Sequence, residues 1–174
     1  NEPELLARHY TQSGNLAAAA LWWREAGKLA SQRLSVREAV VHFQTGLALI
    51  ERQPPSSDRD GLELSIREPL NAAWTGLMGW AATEVSVNAE AILELTKRQG
   101  KPQAAGTGLW AIWVNTTTQG RIADSLEWAQ RLLAEGQQAG DIDLQIFGHG
   151  AAMISHFYLG QLIESREHGN EVLA

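Results

Sequence analysis

The chain has 174 residues, a formal net charge of −6 from 20 acidic and 14 basic side chains, and no cysteine. Its hydrophobic fraction of 44% argues against disorder, the missing cysteines exclude disulfides and thiolate metal sites, and the acidic balance argues against a nucleic-acid binder. Apolar runs are too short for a transmembrane helix and no signal peptide is evident, so we expect a cytoplasmic protein without membrane contact.

Helical patterns begin near the first residue, and alternating strand patterns are absent. Pro3 stands at a favourable first helical position, and Gly14 predicts the end of that helix. Asn15 then predicts the N-cap of a second helix. Ser35 followed by Glu38 has the spacing of a capping box, which predicts the start of a third helix.

The segment 53–58 is rich in proline and serine and predicts a loop. The fourth helix should bury Leu62, Ile66, Leu70, Ala73 and Leu77, while Pro69 predicts a kink or an interruption. A fifth helix near 83–98 should carry Val87, Ala91, Leu93 and Leu95 on its apolar face. Four more helices follow near 103–118, 121–136, 141–159 and 162–174. Short turns between nine helices indicate antiparallel neighbours.

An internal repeat connects distant parts of the chain. A glycine followed five residues later by a small residue occurs at Gly14 with Ala19, and again, forty residues apart, at Gly120 with Ser125 and Gly160 with Ser165. The glycine permits the left-handed backbone that ends a helix, and the small residue lets two antiparallel helices approach closely. One hairpin cannot bury both apolar faces, so the hairpins should stack as an α-solenoid, in a single domain over 1–174.

The first hairpin carries the run Gly14-Asn15-Leu16-Ala17-Ala18-Ala19 followed by Trp23, and an overlapping set continues through Gly27, Ala39 and Phe43. This pattern resembles the tetratricopeptide repeat. The resemblance implies an all-α stack in which one set of residues packs the repeats: Gly14, Ala19, Trp23, Gly27, Ala39, Phe43, Gly120, Ser125, Gly160 and Ser165. The later repeats depart from the family, because their period is forty residues and Trp113 and Met153 stand where a small residue is usual.

A narrower resemblance rests on three runs: residues 3–14, residues 20–27, and Arg37-Glu38-Ala39-Val40-Val41-His42-Phe43. They are similar to the helical repeat region of large bacterial signalling ATPases that carry adenylate-cyclase or LuxR-type regulator domains. The resemblance implies a regulatory or scaffolding segment that contacts a partner or the parent's own ATPase and effector domains. The first residue is not Met and a helical pattern runs to the last residue, so we expect a piece excised from a longer protein. Exposed terminal helices also offer a surface for a homodimer.

Residues for catalysis are not grouped in the sequence. A phosphate-binding loop is missing, and Ser125, Ser155 and Ser165 stand in helical patterns without a nucleophile elbow. His149 and His156 are seven residues apart, about 10.5 Å along a helix, which is too far for both to bind one ion. We therefore expect no enzyme, metal or cofactor, with an enzyme as the least favoured function.

Seven tryptophans are the compositional oddity. Most should fill gaps between helices, but Trp110 and Trp113 share a face with Asn115 and Thr117. If that helix lines the groove of the stack, these residues predict a site for a peptide; His149 and His156 complete the candidate set. The alternative is a sensor of a small inducer, for which an enclosed tryptophan-lined pocket would be evidence, whereas an open groove would favour a protein partner.

Overall fold

A computed structural model of the chain describes residues 2–100 and 105–173. These residues form nine α-helices and no strand, which confirms the predicted all-α class. None of these helices is long and apolar enough to cross a membrane. The helices fall into two compact units, Asn1–Gly79 and Trp80–Ala174. Position 102 and the predicted helix start at 103, like the last residue of the chain, lie outside the described residues.

The first unit contains four helices, each of which packs against the next: α1 (Pro3–Gln12), α2 (Leu16–Gln32), α3 (Val36–Glu51) and α4 (Ser57–Met78). Their shared core is centred on Phe43, Ile50 and Ile66, which are fully buried. Gly27 permits the close contact of α2 with α3, because a Cβ atom there would lie 2.5 Å from the Phe43 ring. Ala19 and Ala39 are also fully buried, as expected for small residues between neighbouring helices.

The second unit contains five helices: α5 (Thr83–Arg98), α6 (Ala105–Thr118), α7 (Ile122–Ala139), α8 (Ile142–Tyr158) and α9 (Leu162–Leu173). Each again packs against the next, and α6 also contacts α8. Helices α7 and α8 approach most closely at two glycines. A Cβ atom at Gly148 would lie 2.6 Å from Leu133 Cα, and one at Gly136 would lie 2.8 Å from Gln145 N.

The helices end in a recurring left-handed turn. Gly14, Gly120 and Gly160 have φ of 76–78°, which confirms that the predicted repeat glycines end helices. At each of them the following N–H donates to a carbonyl five residues back, as in Asn15 N to Tyr10 O at 3.1 Å, the bond of a Schellman motif. Leu34 (φ 60°) and Gly140 (φ 65°) end α2 and α7 in the same way. Within each unit these turns stand twenty residues apart, at 14 and 34 and at 120, 140 and 160, so each forty-residue repeat of the second unit consists of two helix-turn units.

The capping box predicted at Ser35 is wrong. Ser35 precedes α3, but its side chain accepts no capping hydrogen bond. The reason lies in the turn before it, because the Ser35 N–H already donates to Ala30 O at 2.9 Å and is not available to Glu38. The Asn15 cap is confirmed, since its Oδ1 accepts from Ala18 N at 3.2 Å.

Helix α4 does not break at Pro69, so the predicted interruption is wrong. The helix continues from Ser57 to Met78 with Pro69 inside it. Proline in a helix interior costs about 3 kcal/mol, but full burial of an aliphatic side chain contributes about 1.5–3 kcal/mol. Ile66 and Leu70, which flank the proline, are both fully buried, so packing outweighs the lost hydrogen bond.

The predicted inward faces of α4 and α5 are each wrong at one position. Leu77 and Val87 are exposed rather than buried. Helix α5 buries residues at steps of three and four instead, namely Val85, Asn88, Ala89, Ile92, Leu95 and Thr96. That set follows the 3.6-residue period, and Val87 stands on the opposite side of it. The buried face of α5 is therefore partly polar, so the pattern of apolar residues alone does not show which side of the helix faces the core.

Candidate functional site

An aromatic cluster connects α6 to α8. The Trp110 and Trp113 rings have centroids 4.7 Å apart, and Trp110 lies 5.5 Å from Phe147. Trp110 is half-buried, whereas Phe147 is 53% exposed. Aromatic pairs at such distances stabilise each other by about 0.5–1.5 kcal/mol beyond the area they bury. The cluster thus presents a preformed apolar surface whose outer edge faces solvent.

Trp113 and Asn115 lie in the interior of the second unit. Trp113 is 5% exposed, and its Nε1 donates to Ser155 Oγ at 3.0 Å. Ser155 in turn shares a hydrogen bond of 3.1 Å with Ser125, so α6, α7 and α8 meet in one polar network. Asn115 is 1% exposed, and its Nδ2 donates to Trp80 O and Ala82 O. Both residues hold the unit together rather than present a surface.

Thr117 is half-buried, and its Oγ1 donates to Trp113 O at 2.8 Å. Such a bond to the carbonyl four residues back occupies the hydroxyl within its own helix. Of the four predicted residues on α6, Trp110 is therefore the one whose ring lines an open surface.

A cleft of about 430 Å³ lies beside Trp110. We call it the α6–α8 cleft; its lining includes Gly106, Thr107, Trp110, Leu132, Asp141, Asp143, Leu144 and Phe147. Its walls are apolar and aromatic, and its charged side chains are both acidic. Asp141 is occupied as the N-cap of α8, where Oδ1 accepts from Leu144 N at 3.0 Å, whereas Asp143 is exposed. An apolar cleft with an acidic rim complements a side chain that is both apolar and cationic.

Phe147 was not among the site residues predicted from the sequence, although the internal repeat indicates that it lies near Trp110. Phe147 is the forty-residue equivalent of Thr107, which stands one turn before Trp110 on α6. Helices α6 and α8 are equivalent helices of successive repeats and lie side by side. A residue on the first helix then contacts those residues of the second helix that are equivalent to its own neighbours. The offset therefore pointed to Phe147 as a neighbour of Trp110.

The two predicted histidines belong to a group of three. His149 Nδ1 lies 2.9 Å from His168 Nδ1, and the His156 ring stacks on His168 with centroids 5.4 Å apart. The pKa of His168 is lowered, first because burial disfavours its cation and then because His149 and His156 repel it. A hydrogen bond between two imidazole nitrogens requires that at least one ring be neutral. The group joins α9 to α8.

Another group of titratable side chains occurs in the first unit. Among the described residues, Glu4, Glu38 and His42 are the set of three that could share a metal ion. They line a cavity of about 120 Å³ beside α2, together with side chains of α1, α2 and α3. Each came from a segment that the sequence had assigned to repeat packing, so no ligand role was predicted for them.

Comparisons with models of protein families and with curated proteins give no match for this chain. The resemblance to the repeat region of bacterial signalling ATPases therefore remains a prediction from the sequence.

Proposed function

We propose that the chain is a non-catalytic interaction segment that binds an extended stretch of protein in the α6–α8 cleft. The observation that carries this proposal is the contact between Trp110 and Phe147 at the mouth of an apolar cleft with an acidic rim. Tryptophan and other large aromatic residues dominate the energetics of protein interfaces, because they bury much area at little cost in side-chain entropy.

The occupant that fits best is a segment with an apolar side chain next to a lysine or arginine. The apolar group would cover the exposed edge of Phe147 and the half-buried face of Trp110. Its cationic neighbour would lie beside Asp143, whose carboxylate is exposed at the rim. The net charge of −6 adds long-range attraction for such a partner and makes association faster at low salt.

The buried polar side chains support a non-catalytic role. Ser125 Oγ donates to Ile122 O at 2.8 Å, and Ser155 accepts from Trp113, so both hydroxyls already hold helices in place. Ser165 Oγ likewise donates to Met153 O at 2.9 Å. These hydrogen bonds account for the burial of each serine without a chemical role.

We further propose that the hairpins stack as a tetratricopeptide-like solenoid, with the cleft in the groove formed by alternate helices. The contact of α6 with α8, across the intervening α7, supports this arrangement within the second unit. In a bacterial signalling ATPase such a groove would hold a partner protein, or the parent's own ATPase or effector domain. That setting follows from the sequence resemblance.

A small inducer is the second candidate, because about 430 Å³ is within the range of small-molecule sites. Phe147 and Asp143 are both exposed, however, and a small ligand there would keep much of its surface in water. The exposed rim therefore favours a segment that continues beyond the cleft on both sides.

The test is selection of peptides from a random displayed library against the full chain, followed by affinity measurement for the selected peptides. We expect sequences with an apolar residue beside lysine or arginine, and at least about a tenfold loss of affinity in Phe147→Ala, the loss of 1.4 kcal/mol typical of a central aromatic contact. Phe157→Ala is the matched control, since Phe157 lies on the same helix and is equally exposed. Equal losses in both variants, or peptides without a positive charge, would contradict the proposal.

A further inference from the structure

The first unit carries a second feature that packing does not explain, where side chains of α1 and α3 approach each other beside α2. Glu4 stands in the first turn of α1, and Glu38 and His42 are one turn apart on α3. One nitrogen of His42 and one oxygen of each carboxylate all lie within 4.8 Å of one another. Two elements distant in sequence thus bring an imidazole and two carboxylates to one point.

His42 is buried to an extent that is unusual for a histidine, since only 7% of its surface is exposed. Its Nδ1 is buried and has no hydrogen-bond partner among the described residues. Its Nε2 faces Glu38 Oε1 at 3.6 Å, which is longer than a hydrogen bond between these groups. The ring packs against Trp23, with centroids 5.2 Å apart, and Nε2 is the nitrogen on the side of Glu38.

We propose that Glu4, Glu38 and His42 bind a divalent transition-metal ion of the Zn²⁺ class. Two atoms bound to one Zn²⁺ at about 2.1 Å in tetrahedral geometry lie about 3.4 Å apart. The separation of His42 Nε2 from Glu38 Oε1 needs to close by only a few tenths of an ångström to reach that value. An imidazole in the set favours Zn²⁺, Co²⁺ or Ni²⁺ over Mg²⁺ or Ca²⁺, which prefer oxygen alone.

Two positive groups compete with the ion. Arg8 donates to Glu4 Oε1 at 2.7 Å, but this is an exposed pair within one helix, and such pairs are weak. Arg33 lines the same cavity. Both side chains are long and flexible and can move aside, whereas His42 is held by Trp23. The bound ion joins α1 to α3 and so fastens the first helix onto the unit.

The test is calorimetric titration of Zn²⁺ into the full chain, beside Glu4→Gln and Glu38→Gln. We expect one tight site that loses at least about tenfold in affinity in either variant, since even residues that only support a ligand contribute that much. Mg²⁺ at the same concentration should give no such site. The apparent melting temperature should rise with Zn²⁺ in the unaltered chain and not in the variants.

The other histidines supply the controls. Glu167→Gln makes the same chemical change near the half-buried pair of His149 and His168, and the double variant His149→Gln/His168→Gln removes that pair. Both variants should keep the Zn²⁺ site. The proposal is overturned if the chain binds no Zn²⁺, if Mg²⁺ binds equally, or if the histidine double variant abolishes the site while Glu4→Gln leaves it. Circular dichroism of each variant checks that the total helix content is unchanged.

Discussion

The closest helix contact of the second unit makes Gly148 and Gly150 an informative pair. Both lie within α8. A Cβ atom at Gly148 would lie 2.6 Å from Leu133 Cα and 2.7 Å from Leu133 N, whereas one at Gly150 would meet nothing within 4 Å. Alanine at each position therefore changes helix propensity equally but changes packing only at Gly148.

The magnitudes follow from these distances. Alanine in place of glycine in a helix interior contributes about 0.5–1 kcal/mol, so Gly150→Ala should stabilise the unit by that amount. At Gly148 the obstacle is backbone, which cannot rotate away, and α7 must move from α8 by almost 1 Å. Overpacking of this kind costs about 1–3 kcal/mol, and the same movement stretches the hydrogen bond between Ser125 and Ser155. We expect a net loss of about 1–2 kcal/mol in Gly148→Ala.

Urea unfolding followed by tryptophan fluorescence measures both variants against the unaltered chain. Trp113 of α6 and Trp128 of α7 belong to the core cluster that α7 and α8 share, and they report on this part of the core. The free energies of unfolding of the two variants should differ by about 1.5–3 kcal/mol, the sum of the two effects. Equal stability of Gly148→Ala and Gly150→Ala would refute the close approach of α7 and α8.

Three further predictions concern a turn, a buried network and pH. Leu34 has φ of 60° and is 85% exposed, so Leu34→Gly should stabilise the first unit by about 0.5–1 kcal/mol in chemical denaturation, and a loss would contradict the left-handed turn. Ser155→Ala leaves Trp113 Nε1 buried without its acceptor and should cost about 1–3 kcal/mol, whereas Ser155→Thr should recover part of it. The lowered pKa of His168 means that the unfolded chain takes up the proton first. Stability should thus be complete above about pH 6.5 and fall as pH decreases through the lowered pKa, and His168→Gln should flatten that part of a stability–pH profile.

The helices were predictable because their ends carry chemical signals. Gly14, Asn15 and Gly120 act through left-handed backbone and capping, which are local properties of the chain. The turn at Leu34 gives no such signal, because leucine seldom adopts positive φ. Its spacing was nevertheless informative: Leu34 stands five residues before Ala39, just as Gly14 stands five before Ala19.

The candidate sites were harder to predict because they join helices that are not consecutive. Trp110 was found from its composition and helical face, but Trp113 shares that face and is nevertheless buried, since α8 places Ser155 against it. Amphipathic patterns give the face of a helix and not the neighbour that covers it. The meeting of Glu4 with Glu38 depends in the same way on how α1 and α3 both pack on α2.

The most direct test of the proposed function is a map of backbone amide shifts in the NMR spectrum of the chain when a selected peptide binds. We expect the largest changes on α6 and α8 around Trp110, Asp143 and Phe147, and we expect added salt to weaken them. We also expect little change around Phe157. Changes centred on the first unit, or saturation by a small apolar molecule that excludes the peptide, would contradict the assignment of the α6–α8 cleft as a protein-binding site.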